Sequence, residues 1–253
     1  MFYTRAKPGQ AASRLYIISI QINKIGVSVF NIKITVEYIF IYTKMPMDLY
    51  YVPGSAPCRA VLLTARALNL NLNLKLVDLH HGEHLKPEFL KINPQHTVPT
   101  LVDDDLIIYE SRAIMTYLVN KYGKGSSLYP EDPKARALVD MRLNFDLGTL
   151  YNRFADYFYP HLFYGAPADK DKLAKVEDAL KMLDNFLEGQ KYVAGPNLTL
   201  ADLSIIAGVS SFEASDIDFK KYANIKRYVY LTHSRLLWIQ FSTRDSVHIS
   251  NIK

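Results

Sequence analysis

Inside residues 47–232 one stretch reads as a linker, GKGSSLYPEDP at 123–133, and it separates two kinds of hydrophobic pattern. Upstream of it, strand-like and helix-like runs trade places. DLYYV (48–52) is a short strand stopped by Pro53-Gly54. Ser55-Ala56-Pro57 then opens a helix, with Val61, Leu62, Ala65 and Leu68 at helical spacing. Residues 73–79 form a second strand, in which Leu74, Leu76 and Leu79 sit among polar neighbours. Residues 98–102 and 106–109 are a third and a fourth strand around a tight turn at 103–105. That turn holds aspartate where glycine is preferred, so backbone strain is expected at Asp105. Ser111 then caps a helix carrying Ile114, Tyr117, Leu118 and Tyr122. The predicted order is β-α-β followed by β-β-α. Downstream of the linker the pattern is helical throughout: 133–160, 169–187, 199–215 and a shorter segment near 220–230. LTLADL (198–203) has the form of a capping box with a hydrophobic staple. Thr199 would bond the amide of Asp202, Asp202 would bond back, and Leu198 would pack on Leu203.

Charge becomes informative once it is split by position. The net charge is +5, but residues 1–46 hold six of the 30 basic residues and only one acid, Glu37. From Met47 onward 24 basic residues face 24 acidic ones. A nucleic-acid partner is therefore not expected, because such a face needs surplus Lys and Arg on the folded domain. The first segment is rich in isoleucine but broken by Asn23, Lys24, Asn31, Lys33 and Glu37, so no run reaches the roughly 18–20 apolar residues of a membrane span. It reads as a strand-like or disordered extension, a poor targeting peptide, or the product of a start set too early. Its Asn/Ile/Lys/Tyr bias resembles translated AT-rich sequence, and Met45 and Met47 stand just before the ordered pattern. The early start is the favoured expectation. Cys58 is the single cysteine, which excludes an internal disulfide and a Cys-based zinc site and points to a reducing compartment. His80 and His84 have i,i+4 spacing, but Gly82 lies between them in a polar loop, so no metal is expected.

Five motifs occur in order: YYVPGSAPCRAV (50–61), GEHLKPEFLKINPQHTVPTLVD (82–103), YESRAIMTYLVNKYGK (109–124), FDLGTLYNRFADYFYP (145–160) and LEGQKYVAGPNLTLADLS (187–204). In content and sequence they resemble a cytosolic glutathione transferase of the insect delta class, with the epsilon class as near neighbour. The resemblance implies an α/β thioredoxin-like domain (47–124), a linker (125–132) and an all-α hydrophobic-substrate domain (133–232), with 1–46 and 233–253 outside the family pattern. It also implies a cytoplasmic homodimer that conjugates glutathione, its co-substrate, to small hydrophobic electrophiles in detoxification. Hydroperoxide reduction and chloride elimination are side activities of such proteins.

On local sequence Ser55 is either an ordinary N-cap or a hydroxyl aimed at an anion at the helix start; the resemblance makes it the group that stabilises the glutathione thiolate. Cys58, in the same first turn, is the rival, a thiol-transferase nucleophile with its pKa lowered by the helix end. The PGSAP flanks lack the GxSxG pattern of an acyl-transfer serine. By resemblance, Pro99 follows a cis bond and Val98 offers its backbone to the cysteinyl unit. Glu110, Ser111 and Arg112 take the γ-glutamyl end, and His84 and His96 the glycyl end. Asp146 is tied loosely to the γ-glutamyl network. The aromatic-dense stretch 151–159 exceeds what one buried face requires. Tyr151, Tyr157, Tyr159 and Phe163, with Val52, Ala56 and Pro57 opposite, are the candidates for an apolar electrophile pocket. After about Arg227 the match fades, and 233–253 lacks the Pro-containing turn and closing helix of the family. The alternative is a non-catalytic protein that binds glutathione or hydrophobic ligands.

Overall fold

A computed structural model of the chain describes residues 10–24, 30–44, 47–213, 215 and 217–235. These fall into two compact units, divided after Met47. In the first, β1 (Gln10–Lys24) and β2 (Phe30–Lys44) pair antiparallel, from Gln10 opposite Lys44 to Lys24 opposite Phe30. Over those residues the segment is a long hairpin, the strand-like one of the alternatives given for it.

The second unit begins with a four-stranded mixed sheet of order β4-β3-β5-β6, built from β3 (Met47–Tyr51), β4 (Leu72–Leu76), β5 (Thr100–Asp103) and β6 (Leu106–Ile108). β3 and β6 each run antiparallel to β5. The predicted β-α-β, β-β-α order holds. Two details differ. Leu74 and Leu76 are 45% and 63% exposed, because β4 is an edge strand and neither of its faces is covered there. In the turn after β5 the left-handed residue is Asp104 (φ 58°) rather than Asp105. Aspartate tolerates that conformation through its short polar side chain.

α1 (Ala56–Ala67) starts on Ser55, with Pro57 in its first turn. A short helix, α2 (Pro87–Leu90), precedes β5, and α3 (Ser111–Tyr122) follows β6. The predicted cap moves by one residue: Glu110 is the N-cap of α3 and makes no side-chain cap bond, while Ser111 is already helical. Leu49, Val61, Leu101, Ile114 and Leu118 are fully buried and form the core of this half.

Beyond the linker lie α4 (Pro133–Phe145), α5 (Tyr151–Tyr164), α6 (Lys170–Phe186), α7 (Leu200–Glu213) and α8 (Ala223–Arg235). The carboxylates of Asp132 and Asp169 cap α4 and α6 by accepting from first-turn amides. The single helix expected over 133–160 is in fact two, joined by a π-helical turn at Asp146–Leu150 in which the Tyr151 N–H donates to the Asp146 carbonyl. α7 is apolar nearly all round and correspondingly buried, from Leu200 to Phe212, as the central helix of the bundle. Its start departs from the expected box. Asp202 accepts from the Thr199 N–H at 2.8 Å and from the Val193 N–H at 2.9 Å, but the Thr199 hydroxyl donates to the Asp202 carboxylate (2.9 Å) instead of accepting from its amide. α8 extends to Arg235, and the expectation for 233–253 otherwise lies outside the described residues. No described helix is long and apolar enough to cross a membrane.

Candidate functional site

The turn from β3 into α1 presents Ser55, half-buried, with extended backbone (φ −76°, ψ 118°). Its N–H donates to the Val52 carbonyl at 3.1 Å and its carbonyl accepts from the Arg59 N–H at 3.0 Å, so the main chain is pinned on both sides. The side chain is held more loosely, Oγ accepting from the Cys58 N–H at 3.4 Å. No acid stands in the first turn of α1, so the positive end of the helix is left without a resident counter-charge. Cys58 behaves differently. It is 0% exposed, and burial pushes its thiol up to about 11 against the smaller opposing effects of Ser55, Val52 and Arg59. A thiol held protonated and out of solvent is a poor nucleophile.

Sheet register brings the remaining candidates to the same end. Tyr50 lies opposite Thr100 and Leu101 opposite Ile108. Val98 lies two residues before β5, at the end of the sheet where β3 runs into α1 and β6 into α3. The Val98-Pro99 bond is cis, and neither the N–H nor the carbonyl of Val98 takes part in a hydrogen bond among the described residues. Backbone groups at a sheet end that lack partners suit an extended peptide. At the start of α3, Ser111 is buried and its hydroxyl accepts from Arg112 Nη1 at 2.9 Å, while Glu110 is exposed. Arg112 Nη2 donates to Asp146, which is 0% exposed and also accepts from the Ser204 hydroxyl at 2.5 Å. Asp146 thus anchors Arg112, and Ser204 joins them, a member that local pattern does not reveal. His84 and His96 have ring centres 6.1 Å apart, and His84 Nδ1 is buried without a partner, an orphaned polar atom suited to a ligand's oxygen. Among the described residues no group of three or more His, Cys, Asp or Glu is placed to hold a metal.

Of the aromatic candidates, Tyr151 and Tyr159 share a 2.5 Å hydroxyl contact, and Arg112 lies 5.6 Å from the Tyr151 ring centre. Burial raises the pKa of both phenols, that of Tyr151 strongly. Phe163 packs on Tyr159 at 5.6 Å and is 51% exposed. Tyr157 is half-buried and, among the described residues, makes no ring contact or hydrogen bond with these three. Val52 and Pro57 are half-buried and Ala56 is buried. One further residue went unmarked in the sequence: Arg59, buried to 8% exposure, donates to the Gly54 carbonyl at 2.7 Å and reaches α7.

A family model described as the glutathione S-transferase N-terminal domain matches residues 49–127, and one described as the C-terminal domain matches 138–231. A delta-class glutathione transferase of Nilaparvata lugens is 52% identical, with a TM-score of 0.77, over 81% of this chain and 99% of that one. A glutathione transferase of Bombyx mori is 45% identical, with a TM-score of 0.78, over 81% and 97%. An epsilon-class enzyme of the housefly Musca domestica is 37% identical, with a TM-score of 0.75, over 81% and 97%. The chain therefore belongs to the glutathione S-transferase family and stands with its insect delta class, the epsilon class being the near neighbour.

Proposed function

We propose that this glutathione transferase is of the serine type, with the Ser55 hydroxyl donating to the glutathione sulfur and holding it as a thiolate. A free thiol titrates near 8.5 and is only a few per cent ionised at neutral pH. Bringing it to about 6.5 corresponds to roughly 2.7 kcal/mol, within reach of one hydrogen bond to an anion plus the helix-end potential. The observation that carries this reading is the start of α1, where a half-buried hydroxyl with a single long contact stands at a helix N-terminus free of first-turn acids.

Around that point the tripeptide would be held by the backbone of Val98 before Pro99, by Glu110, Ser111 and Arg112 at its γ-glutamyl end, and by His84 and His96 at its glycyl end. The unpaired Val98 groups and the orphaned His84 nitrogen support this orientation. Tyr151, Tyr157, Tyr159 and Phe163 face the electrophile, with Val52, Ala56 and Pro57 as the opposite wall. An apolar, partly open pocket selects hydrophobic electrophiles broadly. In domain terms 47–124 binds glutathione, 125–132 links, and 133–232 carries the second substrate. Exposed apolar side chains on β6 and α4 (Leu106, Ile107, Leu138, Met141) support assembly as a homodimer. The free, buried Cys58 fits a cytoplasmic protein. A Cys58-dependent thiol transferase is disfavoured by the burial of that thiol. Retention on immobilised glutathione together with turnover of an aryl halide is the expected result; retention without turnover would identify a carrier instead.

A further inference from the structure

Arg59 sits one helical turn after Ser55, yet its guanidinium folds back under the loop that delivers Ser55. Nη1 donates to the Gly54 carbonyl at 2.7 Å and to the Pro53 carbonyl at 3.4 Å. Nη2 crosses to the helical domain, donating to the Ala207 carbonyl (2.8 Å) and to the hydroxyls of Ser210 (3.1 Å) and Ser211 (2.6 Å) on α7. A planar fork with several fixed donors can span two elements in this way, whereas a lysine ammonium cannot. The residue is buried, so these bonds are not exchanged for water. The titratable groups whose charge it feels are Cys58 on its own helix and Tyr151 and Tyr159 on α5; α7 offers it only a carbonyl and two hydroxyls.

We infer that Arg59 is a positioning residue for the reaction: by clamping the Pro53-Gly54 carbonyls to α7 it fixes where the Ser55 hydroxyl stands, and so sets how far the bound glutathione thiol is ionised. It touches no reacting atom. The two bonds that pin the Ser55 main chain fix its amide and carbonyl, but the preceding two peptide units are held by the guanidinium. Because the far anchor is α7, the placement of the sulfur-binding hydroxyl depends on the seating of the helical domain against α1, to which α7 and α3 both pack.

The inference rests on the assignment of Ser55 to the sulfur, and the test separates the two. The ultraviolet absorbance of the bound thiolate is titrated against pH in the full chain saturated with glutathione, alongside aryl-halide conjugation kinetics, for wild type, Ser55→Ala, Arg59→Met and the double variant Ser210→Ala/Ser211→Ala. Arg59→Met, shown folded by circular dichroism, is expected to raise the bound thiol pKa by about one and lower kcat about tenfold, with KM for glutathione changed less than about threefold. The double variant keeps the guanidinium but loses two of its α7 partners, and a fall in kcat of about threefold is expected. If Ser55→Ala titrates like wild type, the Ser55 assignment is what fails. If Ser55→Ala is impaired while folded Arg59→Met keeps the wild-type thiol pKa and kcat, the positioning role is wrong. Should Arg59→Met not fold, the double variant decides: an unchanged kcat overturns the inference and a lowered kcat at constant KM supports it.

Discussion

The first turns of α1 and α7 are built from the same device and put to opposite uses. Each helix begins just after a hydroxyl residue, Ser55 or Thr199, and each N-terminus carries a positive potential. At α7 a resident carboxylate fills the position. Asp202 is 0% exposed and collects the amides of Val193 and Thr199, the Thr199 hydroxyl, and the Tyr228 hydroxyl at 3.3 Å. At α1 no acid is supplied, the cap bond is long, and the turn is half open. A helix start completed from within its own chain is a structural joint. One left incomplete is where the proposed reading puts an anion from outside, the glutathione thiolate.

That contrast can be broken by mutation. Ser55→Ala should show the largest effect, a fall in kcat/KM of about a hundredfold to a thousandfold, equivalent to about 2.7–4 kcal/mol of transition-state stabilisation. Its urea unfolding midpoint should move little, since the cap bond lost is a weak one. Steady-state kinetics and unfolding on the same preparation check both halves, and a destabilised but active Ser55→Ala protein would reverse the comparison. Asp202→Ala should do the opposite. Three donors (the Val193 and Thr199 amides and the Thr199 hydroxyl) lose their acceptor in a buried place, while the Tyr228 hydroxyl keeps the Asp202 carbonyl. Unfolding should therefore become easier by about 2–3 kcal/mol, and kcat per folded molecule is retained.

The smallest effect concerns Cys58, the third member of the first turn of α1. Cys58→Ala should leave conjugation within about twofold of wild type, because the thiol lies out of reach of substrate. Iodoacetamide should modify Cys58 only as fast as the protein unfolds, and fast labelling of the native enzyme at neutral pH would contradict its burial. The pH dependence follows with a definite sign. The folded pKa of about 11 lies above the ordinary 9.0, so burial of the neutral thiol contributes stability below about pH 9, and this is lost as the pH rises through 11.

Local pattern carried much of this architecture. The helix read over 169–187 is Lys170–Phe186 with Asp169 as its cap, because an aspartate followed by amphipathic spacing specifies its own start. The chain order of strands and helices and Ser55 at the helix start are also legible, whereas the cis Val98-Pro99 bond is an expectation of the family resemblance. What local pattern could not show are the contacts made across the fold. Arg59 reads as one more charge on an amphipathic helix until α7, about 150 residues later, closes over it. Ser204 is an unremarkable small residue in an apolar helix, and only packing brings its hydroxyl to Asp146. Ser111 reads as a cap because Ser is a common N-cap residue, but Glu110 takes that position and Arg112 engages the Ser111 hydroxyl from the next one. In each case the deciding partner is supplied by tertiary structure.

The π-helical turn at Asp146–Leu150 has a consequence for how this enzyme can be altered. A residue more or less in a helix rotates everything after it by about 100°. Upstream of Tyr151 the turn aims Asp146 at Arg112; downstream the same phase decides which side of α5 carries Tyr151, Tyr159 and Phe163. Point substitutions change these aromatic side chains one at a time. Deleting one residue at 147–149 would restore α-helical phase and turn the whole aromatic set by one helical step, with every side chain still encoded. On the proposed assignment of these aromatics to the electrophile pocket, substrate preference is written partly in chain length, and single-codon insertions or deletions at this turn are a route to new pockets that substitution libraries do not sample.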